Sequence, residues 1–287
     1  MHENTPRFGS NLIAAQLGNT HRVMELQVCP SSLGYPVRRM RKVTIAVRRD
    51  FVVVLELEDW LSMMGRRVVM PAESYFCLGQ CSEDIVKTQR YVTTEKAALL
   101  ASRARCLASC LSSTNGEISW YDCLLESQKE RLDKFNMQVL PPRMAKGQAG
   151  EGDAMIVDLD QNPVQRLRMC NGSVVGECLP CHISHGCLWS TKHKRPLLSH
   201  EVLLSQGCNV VPEISGIREV SWPALKFLER GMLSPFALAK LGGMAWHIPT
   251  MGQLLAFFLA SVRRCDWQLR RSLASFVFDD DAEEASI

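Results

Sequence analysis

Three groups of residues in this chain could do chemistry. Glu3-Asn4 puts an acid beside an amide, and Gly34-Tyr35-Pro36-Val37-Arg38-Arg39-Met40-Arg41 sets an arginine cluster after a Gly-x-Pro turn. Arginine suits directed recognition, because its planar fork makes two hydrogen bonds where lysine offers a point charge. Taken alone, Glu3-Asn4 is a surface dipeptide. Arg38 to Lys42 alone is a solvated strand edge that blocks edge-to-edge pairing. The third group runs from Cys178 to Cys187 and holds three thiols and two imidazoles within ten residues. Such a set could ligate zinc, and its Cys-x-x-Cys-His order is also the pattern of c-type haem attachment. No export signal accompanies the haem pattern. A structural zinc site usually needs a second knuckle, and Cys170 is the only other thiol nearby. The thiols therefore read as ordinary buried residues, and no metal is expected.

The elements that must position these groups can be read from patterning. Leu12, Ile13, Ala14, Ala15 and Leu17 predict a helix over Phe8–Leu17, ended by a left-handed cap at Gly18-Asn19. Val23–Val28 alternates and reads as a strand, Cys29–Pro36 as a loop, and β-branched Val43–Val47 as a second strand. Strand character continues over Phe51–Leu57, and Glu58–Met64 turns helical. The middle of the chain is richer in helix, over Thr94–Leu111 and Glu117–Phe135, with Leu140-Pro141-Pro142 as a breaker. Gly147–Gly152 reads as a flexible linker. Beyond it come a strand at Ala154–Leu159, an irregular Cys170–Ser190, and short helices at Leu197–Ser205, Trp222–Arg230 and Pro235–Leu241. A helix over Thr250–Val262 is apolar nearly all round and is expected to be buried. The acidic tail Phe278–Ile287 reads as disordered.

The chain has 287 residues, 46% of them hydrophobic, which suffices for one large or two modest cores. A net charge of +3 does not argue for nucleic acid, so local clusters such as Arg38 to Lys42 and Lys192-His193-Lys194-Arg195 must carry any such argument. No apolar run approaches the ~18–20 residues needed to span a bilayer. Free thiols without a disulfide-like framework or signal peptide predict a reduced compartment, nuclear or cytoplasmic.

The order acid-amide, helix, strand, Gly-x-Pro turn, arginine cluster, strand resembles the C-terminal part of the catalytic domain of DNA (cytosine-5)-methyltransferases, with Val37 in place of the family's Gln. Arg195-Pro196-Leu197-Leu198-Ser199-His200-Glu201 followed by Gln206-Gly207-Cys208 is similar to the family's Arg-x-Leu-Thr-x-x-Glu…Gln-Gly-Phe-Pro, with Ser199 one place beyond the usual Thr. Leu241-Gly242-Gly243-Met244-Ala245-Trp246 resembles its Gly-Asn-Ala/Ser-Val motif, with Gly243 in place of the Asn. Four motifs in family order are far more specific than any one of them.

The resemblance implies an α/β, Rossmann-like methyltransferase fold dependent on S-adenosyl-L-methionine. Residues 1–58 would close the core sheet and residues 59–195 would form an inserted α+β target-recognition region. Residues 196–265 would return to the core, and residues 266–287 would form the C-terminal segment. In the family a Cys thiolate adds to cytosine carbon 6, and carbon 5 then takes the methyl group. Glu3, flanked by Asn4, would hold the flipped base, and Arg39 and Arg41 would hold its carbonyl and a flanking phosphate. The turn at Gly34–Pro36 is expected to bring both arginines back toward Glu3. Arg38, Lys42 and Arg195 would touch DNA, or RNA, and Gly242 and Gly243 would approach the cofactor. Neither the glycine-rich Phe-x-Gly-x-Gly loop nor a Pro-Cys nucleophile loop precedes Glu3. Leu179-Pro180-Cys181 follows Glu3 and is not assigned as nucleophile. The expectation is a truncated copy, inactive alone and served by a complementing N-terminal fragment. The alternatives are a non-catalytic nucleic-acid-binding or interaction protein derived from that fold, and a zinc-binding module.

Overall fold

The β-branched run at Val43–Val47 has one efficient use, a strand packed on both faces. In the computed structural model that run lies within β3 (Arg41–Arg48), where Val43, Thr44, Ile45 and Val47 are all buried. The structure describes residues 1–9, 11–55, 57–65, 71–77, 97–98, 119–146, 155–161, 178–182, 186–210 and 232–264. It is a mixed α/β chain of small sheets and several helices that divides into two compact units. One comprises Met1–Val28, Met40–Gly65 and Met251–Ile287; the other comprises Cys29–Arg39 and Arg66–Thr250. The expected helices at Thr94–Leu111 and Trp222–Arg230, the linker and the acidic tail lie outside the described residues, apart from positions 97 and 98.

In the first unit β3 is the middle strand of three, between β1 (His2–Asn4) and β2 (His21–Val28), and it runs antiparallel to both. β1 and β2 are therefore parallel to each other, joined through α1 (Asn11–Leu17). α1 ends at Gly18, whose N–H returns to the Ala14 carbonyl at 2.8 Å. The expected left-handed cap is not there: among the described residues only Gly34, Lys194 and Gly207 have positive φ. β4 (Phe51–Val53) is shorter than expected and pairs with β8 (Val262–Arg264). α2 (Leu57–Met64) follows β4 and sets Trp60 against Phe257, ring centroids 5.1 Å apart.

In the second unit β5 (Ile156–Asp158), β6 (Leu188–Ser190) and β7 (Arg195–Pro196) form an antiparallel sheet with apolar clusters on both sides. Side chains alternate across it, so Ile156 and Leu188 join Val37, Phe76 and Leu179, while Val157 and Trp189 join Leu132, Phe135 and Val139. α3 (Glu126–Lys134) is preceded by turns instead of the expected helix from Glu117. Its first turn is closed by the Gln128 Oε1, which accepts from the Leu125 N–H at 3.0 Å. Leu140-Pro141-Pro142 does not break the chain direction. A π-helical turn at Phe135–Val139, with the Leu140 N–H reaching the Phe135 carbonyl, widens the helix, and both prolines then fall in the first turn of α4 (Leu140–Ala145). α5 (Ser199–Ser205) and α6 (Pro235–Met244) complete the unit.

α7 (Ile248–Ser261) starts earlier than expected and is not buried all round. Met251, Leu254, Phe257 and Phe258 are buried, but Leu255 and Leu259 are 50% and 72% exposed. One turn apart, these two form an apolar stripe uncovered among the described residues. Replacing both (Leu255→Glu with Leu259→Glu) is expected to lower hydrophobic-dye fluorescence and light scattering and to shift the melting temperature by no more than roughly 2 °C. A fall well beyond that would show that both side chains are packed.

Candidate functional site

The register of β1 on β3 pairs Glu3 with Val43, which makes Arg41 its diagonal neighbour on the same face. Long side chains span that diagonal. The Arg41 Nε donates to Glu3 Oε1 at 2.7 Å, with side-chain exposures of 18% and 11%. The second Glu3 oxygen, Oε2, makes no hydrogen bond among the described residues. The same diagonal rule acts on the other face. Glu25 pairs with Thr44, and Lys42 reaches the Glu25 carboxylate at 2.9 Å. Asn4 turns its Oδ1 to the Thr5 N–H, 2.8 Å away, and so shapes the exit from β1. The structure thus brings Glu3 and Arg41 together as expected.

Arg39 has a different task. It is 3% exposed, and its guanidinium donates to three carbonyls: His182 at 3.1 Å, Gly243 at 3.1 Å and Ala245 at 2.8 Å. Two of these belong to the C-terminal end of α6, where unsatisfied carbonyls and the helix dipole favour a cation. Where the resemblance implies a base or a phosphate, the structure gives the terminal nitrogens of Arg39 three carbonyls of the protein's own backbone. Arg38 follows Val37, which forms a parallel bridge to Leu179, and the Arg38 N–H donates to the Leu179 carbonyl at 2.8 Å. Val37 is 1% exposed within an apolar cluster, an environment that accounts for valine where the resemblance has glutamine.

The Arg195 motif is also internal. Arg195 meets the wholly buried Glu201 with two parallel hydrogen bonds of 2.7 Å, and Phe76 lies 5.3 Å under the guanidinium. The Leu198 N–H donates to Glu201 Oε2 at 2.9 Å, so one carboxylate holds the arginine and caps the first turn of α5. Arg195 is therefore no DNA contact, which corrects that expectation. Gln206-Gly207 ends α5. Gly207, at φ 81°, donates to the Leu204 carbonyl and Cys208 to the Leu203 carbonyl, respectively the five-to-two and six-to-one bonds of a Schellman cap. The two glycines expected near a cofactor have internal tasks as well. A Cβ on Gly242 would collide with Val202 Cγ1 of α5, and Gly243 supplies a carbonyl to Arg39. Gly242 is thus a glycine of helix packing.

His247 has no forewarning in the sequence. Its Nδ1 lies 2.8 Å from the Thr250 hydroxyl and accepts from the Thr250 N–H at 3.3 Å, so the imidazole caps α7. Tyr35 meets its ring edge-on at 4.8 Å. Burial, reinforced by the Arg39 charge, pushes the His247 pKa down to about 4. The three thiols at 178, 181 and 187 and His182 are described; His185 is not. Among the described residues no group of three His, Cys, Asp or Glu side chains is placed to hold a metal, and no helix is long and apolar enough to cross a membrane.

No protein-family model matches this chain, and comparison with curated proteins yields no match. The functional reading therefore rests on the residues and their geometry.

The pH dependence of stability follows from His247. In the unfolded chain an imidazole titrates near 6.5, whereas in the fold it stays neutral down to about 4. Between those values the unfolded state binds the extra proton, so the stability contributed above pH 6.5 is lost progressively as pH falls toward 4. Buried His200, also lowered to about 4, acts with the same sign. His247→Asn keeps a capping acceptor without the titration. Its urea midpoint is expected to fall less than the wild type's between pH 7 and pH 4.5. Parallel curves would exclude His247 as the source.

Proposed function

We propose that this chain carries the cytosine-holding part of a DNA (cytosine-5)-methyltransferase. The observation that carries this reading is the Glu3–Arg41 pair at 2.7 Å, set on an antiparallel three-stranded sheet whose middle strand is β3. Arg41 fixes one oxygen of the carboxylate and leaves Oε2 to accept from the exocyclic amine of a cytosine taken out of its duplex. A positioned acceptor discriminates, because a site built for an amine donor rejects the base that offers a carbonyl there.

The reading does not extend to methyl transfer by these residues alone. The 287 residues contain no Phe-x-Gly-x-Gly loop, and the only Pro-Cys pair, Pro180-Cys181, comes after Glu3. Where the nucleophile and the S-adenosyl-L-methionine loop are supplied by other polypeptide, the part contributed here is the base-holding acid.

The test has two arms. Purified chain is expected to transfer no tritiated methyl group from S-adenosyl-L-methionine to DNA. It is expected to bind a duplex containing one unpaired cytosine more tightly than one containing an unpaired thymine, and Glu3→Gln should weaken the cytosine complex by about tenfold or more, as for a lost charge-assisted hydrogen bond. Equal affinity for the two duplexes, with no effect of Glu3→Gln, would reject the cytosine-holding role and leave a nucleic-acid-binding or interaction protein of the same lineage. Methyl transfer above the no-enzyme blank would mean that a cofactor site lies elsewhere in the chain.

A further inference from the structure

A cavity of about 270 Å³ in the second unit belongs to none of the features above. Its lining includes Trp120, Tyr121, Asn136, Trp189, Thr191 and Lys194. Three independent observations make it more than a surface fold. First, its walls are aromatic: Trp120, Tyr121 and Trp189, the last 4% exposed on β6. Second, Asn136 sits on the π-helical turn Phe135–Val139, a distortion that recurs at functional sites because it re-aims a side chain. Its amide is exposed and makes no hydrogen bond among the described residues. Third, Lys194 closes the hairpin between β6 and β7 at φ 50°, the left-handed region where glycine fits without strain. The hairpin thus keeps a strained lysine at the cavity mouth, and this lysine forms no ion pair among the described residues.

The chemistry of the lining selects its ligand. A quaternary ammonium would suit an aromatic wall but is repelled by Lys194. A plain hydrophobic tail has no use for an amide that offers both a donor and an acceptor. A flat heterocycle with a polar edge and an attached anion matches all three parts. We propose that this cavity binds one unstacked nucleobase of single-stranded nucleic acid. The ring lies against the Trp120 and Tyr121 walls, its edge meets the Asn136 amide, and its phosphate meets Lys194. The inference goes beyond the cytosine-holding role and shares no residue with it.

The experiment measures fluorescence anisotropy of labelled DNA and RNA hexamers on the full chain, beside abasic hexamers with the same phosphates and unlabelled mononucleotide as competitor. The variants are Asn136→Ala and Lys194→Gly. The second relieves the left-handed strain, so its melting temperature should not fall, and a loss of binding cannot be ascribed to misfolding. Base-bearing hexamers of DNA, RNA or both are expected to bind about tenfold or more tightly than abasic ones, the value of one stacked base. Each variant should weaken that binding about tenfold, and Lys194→Gly should also flatten the salt dependence by roughly 0.7 in log–log slope. Equal binding of abasic and base-bearing strands, unchanged affinity in both variants, or no binding of any hexamer would overturn the proposal. Competition by mononucleotide with no binding of hexamers would overturn its single-strand part.

Discussion

The hydrogen-bonded register of β3 is the constraint on which the first unit depends. β3 pairs on both edges, so neither neighbour can shift without breaking a ladder. Side chains alternate with a period of two, and a slip of one residue would carry Glu3 to the face opposite Arg41. Burial of Val43, Thr44, Ile45 and Val47 locks that register, because any slip would drive apolar side chains out of the core. The two diagonal ion pairs, Glu3 with Arg41 and Glu25 with Lys42, follow from it as geometry. Packing chosen for stability thereby places an acid and a base at one strand end.

The second unit is organised by buried charge. Arg39 gathers carbonyls from residues more than 140 positions away in sequence, and Arg195 is held against Glu201 inside the fold. Desolvating such groups is expensive, and removing one partner of a buried pair costs about 3–5 kcal/mol because the other is left uncompensated. These contacts define one arrangement of chain rather than many. The same helix, α5, is where the motif residues meet: Glu201 starts it, Gly207 ends it, and Gly242 lets α6 approach it.

How much of this could be read in advance depends on what each signal is made of. The strand at Val43–Val47, the helix expected over Thr250–Val262 and the approach of Arg41 to Glu3 all follow from side-chain type and motif order. The partners of Arg39 do not, because carbonyl acceptors leave no mark in a sequence. An arginine that caps a distant helix looks the same as one that waits for phosphate. Arg195 was misread for the same reason: its partner six residues on is visible, but its burial is not. Gly242 reads as a cofactor approach, and in the structure it lies against Val202, since glycine signals only closeness, not what comes close. Pro141 and Pro142 signalled a break because a π-helical turn, which absorbs their missing N–H groups, has no composition of its own. His247 caps a helix from outside the usual set of Ser, Thr, Asp and Asn, so α7 begins earlier than its apolar pattern suggests.

The central claim is that the Glu3 carboxylate, oriented by Arg41, accepts a hydrogen bond from cytosine. The most direct measurement is carboxyl ¹³C NMR on glutamate-labelled chain titrated with a duplex carrying one unpaired cytosine. The account predicts a saturable shift of the Glu3 resonance with cytosine, not matched by an otherwise identical duplex with unpaired thymine. A Glu3 resonance that does not move, or that moves equally with both duplexes, would contradict it.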